Sequence, residues 1–141
     1  MTFHHVELWV ADFDAAEPRW SWLLDLLGWP RLDTWVRGAS WGSATTGYLV
    51  IEQSPDVRDR PHDRLRPGLN HLAFWAADPS AVDALWDAAP QHGWRHLFAE
   101  RHPYAGGAHH YAAYLEDVDG FELEIVAKAQ PDGRVDDRDT T

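Results

Sequence analysis

The chain is 141 residues long, carries a formal net charge of −11, and contains nine tryptophans and no cysteine. That length suits one compact domain or two small modules sharing a core, and the acidic balance excludes nucleic acid as an expected partner, since phosphate binding needs a basic face. The lack of cysteine excludes disulfides, thiolate metal sites and cysteine nucleophiles, so any metal must be held by nitrogen and oxygen donors.

No apolar run approaches the roughly 20 residues of a membrane-spanning helix, and the N-terminus lacks the basic-then-apolar pattern of an export signal. No membrane partner and a cytoplasmic setting are therefore expected.

The first predicted element is a strand over "HHVELWV", ending at Asp12. A helix over 15–27 follows, in which Trp20, Leu23, Leu24 and Leu27 form one apolar stripe and Gly28 supplies a stop. Pro18 conflicts with this helix, because it deletes an early hydrogen bond unless the helix starts near Glu17. Three strands are expected at "RLDTWVR", "ASWGSAT" and "GYLVIEQ", with Arg37 and Gly38 turning between the first two. The segment "SPDVRDRPHDRLRPG" reads as a solvated connector of alternating charge, longer than the ~4–6-residue median loop.

The pattern then starts again. "NHLAFWAAD" repeats "HHVELWVAD" so that His71 falls on His5, Trp75 on Trp9, Asp78 on Asp12 and Trp86 on Trp20 at one constant offset, and after a one-residue slip Gly93 falls on Gly28. Asp78 and Pro79 look like the N-cap and first residue of a second helix. Further strands are placed near "WRHLFAE", "HHYAAYLE" and "GFELEIVA", the last carrying Glu124 as "GYLVIEQ" carries Glu52. Repeats of this kind report duplicated architecture. The expectation is an α+β fold of two paired βαβββ modules, 1–53 and 69–127, forming a curved mixed sheet around a central cavity. A linker over 54–68 joins them, and a polar tail over 128–141 is expected to be disordered.

If a pseudo-twofold axis relates the modules, His5, Glu52, His71 and Glu124 can converge on one point. Two imidazoles and two carboxylates suit one divalent ion, such as Zn, Ni, Co, Mn or Fe, with positions left for water or substrate. Alternation in "FELEIV" puts Glu122 and Glu124 on one face, opposite Phe121, Leu123 and Ile125. In the wholly apolar "YLVIE", the Glu52 carboxylate needs a partner. Trp9, Trp35, Trp41, Trp75 and Tyr114 lie on strands that could face the same cavity, and His109 and His110 could line it.

The stretches "HHVELWVADF", "GLNHLAFWAAD" and "EDVDGFELEIV" together resemble the vicinal oxygen chelate superfamily, also called the glyoxalase/bleomycin-resistance/dioxygenase group, over nearly the whole chain apart from the tail. Within it, "WLLDLLGW" and "AGGAHHYAAYLEDVDGFELEIV" look most like a small, poorly characterised bacterial branch. Metal-using members draw ligands from the first and last strand of each module, which the resemblance carries onto His5, Glu52, His71 and Glu124. Glyoxalase I fills all four positions in this His/Glu pattern, whereas fosfomycin-resistance enzymes and extradiol dioxygenases use two His and one Glu.

The resemblance therefore implies a glyoxalase- or epimerase-like lyase or isomerase, in which a metal-stabilised enolate forms on a small substrate with adjacent oxygens. Glu52 or Glu124 would move the proton. Two alternatives stay open. Bleomycin-resistance members sequester an aromatic drug, which the tryptophans favour, and extradiol dioxygenases carry a tyrosine ten residues before the ligand Glu, as Tyr114 precedes Glu124. His109 and His110 lie too close to Tyr114 for the dioxygenase signature, and Val118 stands where the family ending commonly has proline. A small-molecule substrate or drug and a homodimeric assembly are the expected partners.

Overall fold

The computed structural model describes residues 3–58 and 60–133, and the chain divides into two compact units, Met1–Pro61 and His62–Thr141. The first unit runs β1 (His5–Trp9), α1 (Phe13–Leu26), β2 (Arg31–Trp35), β3 (Gly38–Ser43) and β4 (Gly47–Glu52). The second runs β5 (His71–Ala76), α2 (Pro79–Ala88), β6 (Arg95–Leu97), β7 (Ala112–Glu116) and β8 (Glu122–Ala127). Strand order is β1-β4-β3-β2 in one sheet and β5-β8-β7-β6 in the other. In both, the first and last strands pair in parallel and the remaining neighbours are antiparallel. The expected α+β fold of two βαβββ modules is thus observed.

Each sheet has a helix face and an open face, fixed by the two-residue alternation of side chains. In the first unit, Leu8, Ala39, Trp41, Leu49 and Ile51 point to the helix side and bury with Ala16, Trp20, Leu23 and Leu24 of α1. In the second, Phe74, Ala113, Leu115, Leu123 and Ile125 do the same with Val82 and Leu85 of α2. Trp41, expected in a cavity, is instead fully buried core, because its register opposite Leu49 turns it toward the helix side.

The helices start alike. Asp12 and Asp78 each accept a hydrogen bond from the backbone N–H three residues on, at 3.1 and 2.9 Å, a cap that satisfies an otherwise orphaned donor. The helix α1 begins at Phe13, so Pro18 lies inside it rather than at its start; the N–H of Phe13 is taken by Gln53 Oε1 at 3.0 Å. At its end, Gly28 adopts φ +74 and Gly28 and Trp29 donate back to Asp25 and Leu24, a closure that favours glycine because L side chains strain there. Gly93, at φ 84, does the same after α2 and a short 3₁₀ turn, with Trp94 bonding Ala89.

Two expected boundaries move. The predicted strand "WRHLFAE" pairs only over Arg95–Leu97 and gives way at Phe98, which has a left-handed backbone (φ 53), to a 3₁₀ turn at Ala99–Arg101. Along the connector, residues from His62 onward pack on the second unit: His62 donates its N–H to Asp119, and its ring stacks on Phe121 at 4.9 Å. The tail is placed as far as Gly133, with Gln130 buried and bridging Tyr111 N–H and Ala127 O. The disorder expected over 134–141 lies outside the described residues. No helix among the described residues is long and apolar enough to cross a membrane.

Candidate functional site

The open face of the second sheet holds a convergent polar cluster around Glu124. Strand β8 brings Glu124 between Ala73 of β5 and Tyr114 of β7, and its carboxylate is nearly buried, at 7% exposure. Its Oε1 accepts from the Tyr114 hydroxyl at 2.8 Å and meets His110 Nε2; its Oε2 faces His71 Nε2 at 3.0 Å. The loop carrying His110 closes on the cluster at Gly106, where a Cβ would stand 2.4 Å from the Tyr114 hydroxyl and 2.6 Å from the His110 ring. Phe98 meets the Tyr114 ring edge-on at 5.5 Å. Burial first, and then the hydrogen bond to Glu124, push the Tyr114 hydroxyl pKa well above the ordinary phenol value, so Tyr114 acts as a donor.

The orientation of the His71 ring hydrogen follows from its neighbour. Asn70 Nδ2 donates to the carbonyl of Arg64 at 3.1 Å, which leaves Oδ1 facing His71 Nδ1 at 2.7 Å. An amide oxygen only accepts, so Nδ1 carries the hydrogen. That leaves Nε2 to face Glu124 Oε2 at 3.0 Å, within hydrogen-bonding distance. Two donors at right angles on an octahedral cation, each about 2.1 Å from it, also lie about 3.0 Å apart, so the spacing suits a hydrogen bond and a pair of octahedral ligands alike.

A second carboxylate shares this face. Glu122, opposite His71 in the register, is buried and ion-paired with Arg64 at 3.0 Å. Burial raises its pKa, and the Arg64 guanidinium opposes that rise. Arg64 also approaches Glu116 at 3.8 Å, and Arg95 holds Glu116 at 2.7 Å. The connector, read from its charges as solvated, thus contributes a cation to the open face.

The first unit does not reproduce the cluster. His5 pairs with Tyr48 and His71 with Glu122, so the residue corresponding to Glu124 is Val50, and Glu52 corresponds to Val126. Glu52 stands opposite Trp9, four residues beyond His5, about 13 Å along the strands at ~3.3 Å per residue. The structure does not bring His5 and Glu52 together. The His5 ring stacks on Tyr48 at 5.1 Å, and its Nδ1 meets His4 Nδ1 at 2.8 Å. Among the described residues no group of three or more His, Cys, Asp or Glu is arranged to hold a metal ion, so His71 and Glu124 form a pair rather than a complete set.

Of the proposed pocket residues, His110 and Tyr114 join the Glu124 cluster. Trp9, Trp35 and Trp75 lie half-exposed on the open faces of their own sheets, and His109 is solvent-facing near Asp132. Asn70, Arg64 and Glu122 went unassigned in the sequence. Alternation already placed Glu122 beside Glu124, whereas the roles of Asn70 and Arg64 depend on a loop conformation that carries no periodic signal.

Residues 4–114 match a sequence family described as the glyoxalase/bleomycin resistance protein/dioxygenase superfamily. YqjT of Bacillus subtilis (strain 168), a protein described as uncharacterized, is 42% identical over 125 residues, 88% of this chain and 97% of its own. The crystal structure of a Bacillus halodurans protein provisionally described as a glyoxalase superposes with a TM-score of 0.82 at 40% identity, covering 89% of this chain and 94% of that one. A glyoxalase/bleomycin resistance protein from Albidiferax ferrireducens T118 shares the fold, with a TM-score of 0.69 at 23% identity over 89% of this chain and 97% of that one.

Proposed function

The chain belongs to the glyoxalase/bleomycin resistance protein/dioxygenase superfamily, and on that premise we propose that it is a metal-dependent lyase or isomerase of the glyoxalase or epimerase type, acting on a small substrate with two adjacent oxygens. The observation that carries the reading is the confrontation of His71 Nε2 and Glu124 Oε2 at 3.0 Å with the His71 tautomer set by Asn70. Those two side chains would hold a divalent ion, and His5 enters as a ligand only through the family resemblance. A metal bound there supplies Lewis acidity toward substrate oxygen.

The chain's own residues do the rest. Asn70 orients the imidazole, a hydrogen bond of the kind that fixes metal-ligating histidines. Tyr114 and His110 hold the far oxygen of Glu124, keeping its carboxylate in one rotamer. Because His110 Nε2 touches that oxygen, it can exchange a proton with Glu124. Glu52, displaced by its register, has no part in this version of the chemistry.

Elemental analysis of protein purified without chelators tests the proposal. About one equivalent of a divalent ion is expected, lost in His71→Ala and Glu124→Ala. Metal content indifferent to both substitutions would overturn it. Drug sequestration is the second reading, favoured by Trp75, which is 43% exposed on the same face as His71; tight binding of a flat drug by metal-free protein would decide for it. Extradiol-type oxygenation has weaker support, since the Tyr114 hydroxyl is engaged by Glu124. The reading includes a cytoplasmic setting and a homodimer, the latter checked by light scattering.

A further inference from the structure

The register that removes Glu52 from the metal reading places it somewhere else with chemistry of its own. Trp9, Glu52, Gly38 and Trp35 form one row across the open face of the first sheet, in the strand order β1-β4-β3-β2. Trp9 is 45% and Trp35 37% exposed. The Trp35 indole does not stand upright. It lies across Gly38, where a Cβ would come within 2.4 Å of its ring, so glycine is required for the ring to lean toward Glu52. On the other side, the Trp9 indole N–H is anchored by Glu7 Oε1 at 2.7 Å, which fixes the ring edge and leaves its faces open.

The carboxylate between the two indoles is half-buried and has no hydrogen-bond or ion-pair partner among the described residues. Two arginines of the same unit are engaged elsewhere: Arg37 lies 3.6 Å from Asp14, and Arg31 pairs with Glu17 and covers Trp41. A partly desolvated carboxylate without a counter-ion is costly, and indole faces attract cations through the ring quadrupole. A chain of formal charge −11 adds a favourable field.

We propose that Trp9, Glu52 and Trp35 form a binding site for an organic cation of the alkylammonium class, with the indoles as walls and Glu52 as counter-ion. A quaternary or bulky secondary ammonium fits best, because its diffuse charge and apolar shell suit aromatic faces better than a small hydrated ion. Nothing in this proposal depends on a metal at Glu124.

The probe is choline, with its uncharged isostere 3,3-dimethylbutan-1-ol as control, titrated into the full chain while the tryptophan indole N–H resonances are followed by NMR. Choline is expected to shift the Trp9 and Trp35 signals saturably, with a dissociation constant on the order of a millimolar. The alcohol should bind at least about tenfold more weakly if charge is read at the site. Glu52→Gln, which keeps side-chain shape, and Trp35→Leu should each abolish saturation while the remaining indole signals keep their native positions. Equal response to choline and the alcohol, unchanged binding in Glu52→Gln, or shifts at other tryptophans would overturn the proposal. His71→Ala should bind choline as the parent does, so failure of the metal reading stays separable from failure of this one.

Discussion

The two units share a strand order, a capping aspartate and a terminating glycine, yet their open faces hold different chemistry. In the second, a buried carboxylate is gripped by two imidazoles and a phenol. In the first, the corresponding position is Val50, with Glu7 opposite it on β1 and Glu52 two residues further along β4, opposite Trp9. The helix-facing pattern has to be kept in both copies because it makes the core. The open face is free to diverge, since exchanging residues there leaves the core contacts intact.

The sharpest test of that contrast compares equivalent tryptophans. Trp20 is completely buried against its sheet, so Trp20→Ala should cost about 3–5 kcal/mol, the usual loss for a large buried aromatic. Trp86, in the same repeat position, is only half-buried and lies between the rings of His96 and His102 at 3.6 and 3.7 Å. Its replacement by alanine should cost nearer 1–2 kcal/mol, roughly the centre of mutational distributions. Equal losses in denaturant titrations would show that the repeat position, not its burial, sets the energy.

A second comparison lies on the open faces. Glu124→Ala leaves the Tyr114 hydroxyl and His110 without their acceptor, and a buried donor stranded in this way costs about 1–3 kcal/mol. Val50→Ala removes only apolar surface, about 1–2 kcal/mol. The two should separate in another way: Glu124→Ala lowers the Tyr114 pKa toward that of free tyrosine, which ultraviolet titration reads, while Val50→Ala leaves it unchanged.

The capping aspartates should instead behave alike. Asp12→Ala and Asp78→Ala should each lose about 1 kcal/mol, and the double variant should lose their sum to within ~0.5 kcal/mol, because the caps share no partner. A marked departure from additivity would show that the two helices do not contribute independently.

These comparisons also show what was legible. Strand–helix order, caps and core faces were readable because they rest on local periodicity and on single residues such as Asp12 and Gly28. The pairing of Glu52 with Glu124 failed for a reason internal to strand physics. A one-residue slip turns every side chain to the wrong face, but a two-residue slip keeps the faces and moves only the position along the strand. Val50 and Glu52 satisfy the same alternation, so the sequence pattern cannot choose between them; the register with β1 does. Trp41 was misassigned because a tryptophan suits either face of a sheet. The grip of His110 on Glu124 arises from a long loop, with Gly106 against the Tyr114 hydroxyl, and has no local signature.

The smallest expected effect concerns pH and separates the two units once more. The His102 ring packs on Trp86, the second unit's counterpart of Trp20. Burial lowers the His102 pKa below 6.5, with the nearby His96 acting in the same direction and Asp83, Asp87 and the backbone of Ala112 opposing. The folded protein therefore takes up this proton less readily than the unfolded chain. Above 6.5 both states are neutral at His102 and nothing is lost; as pH falls through 6.5 toward the depressed value, the unfolded chain protonates first and stability declines. His102→Gln, which cannot titrate, should flatten that decline in thermal unfolding followed from pH 7.5 to 5.5, leaving the midpoint at pH 7.5 nearly unchanged apart from the lost ring stacking. An acid sensitivity identical in the variant would assign the decline to other groups and leave the His–Trp–His stack a packing feature only.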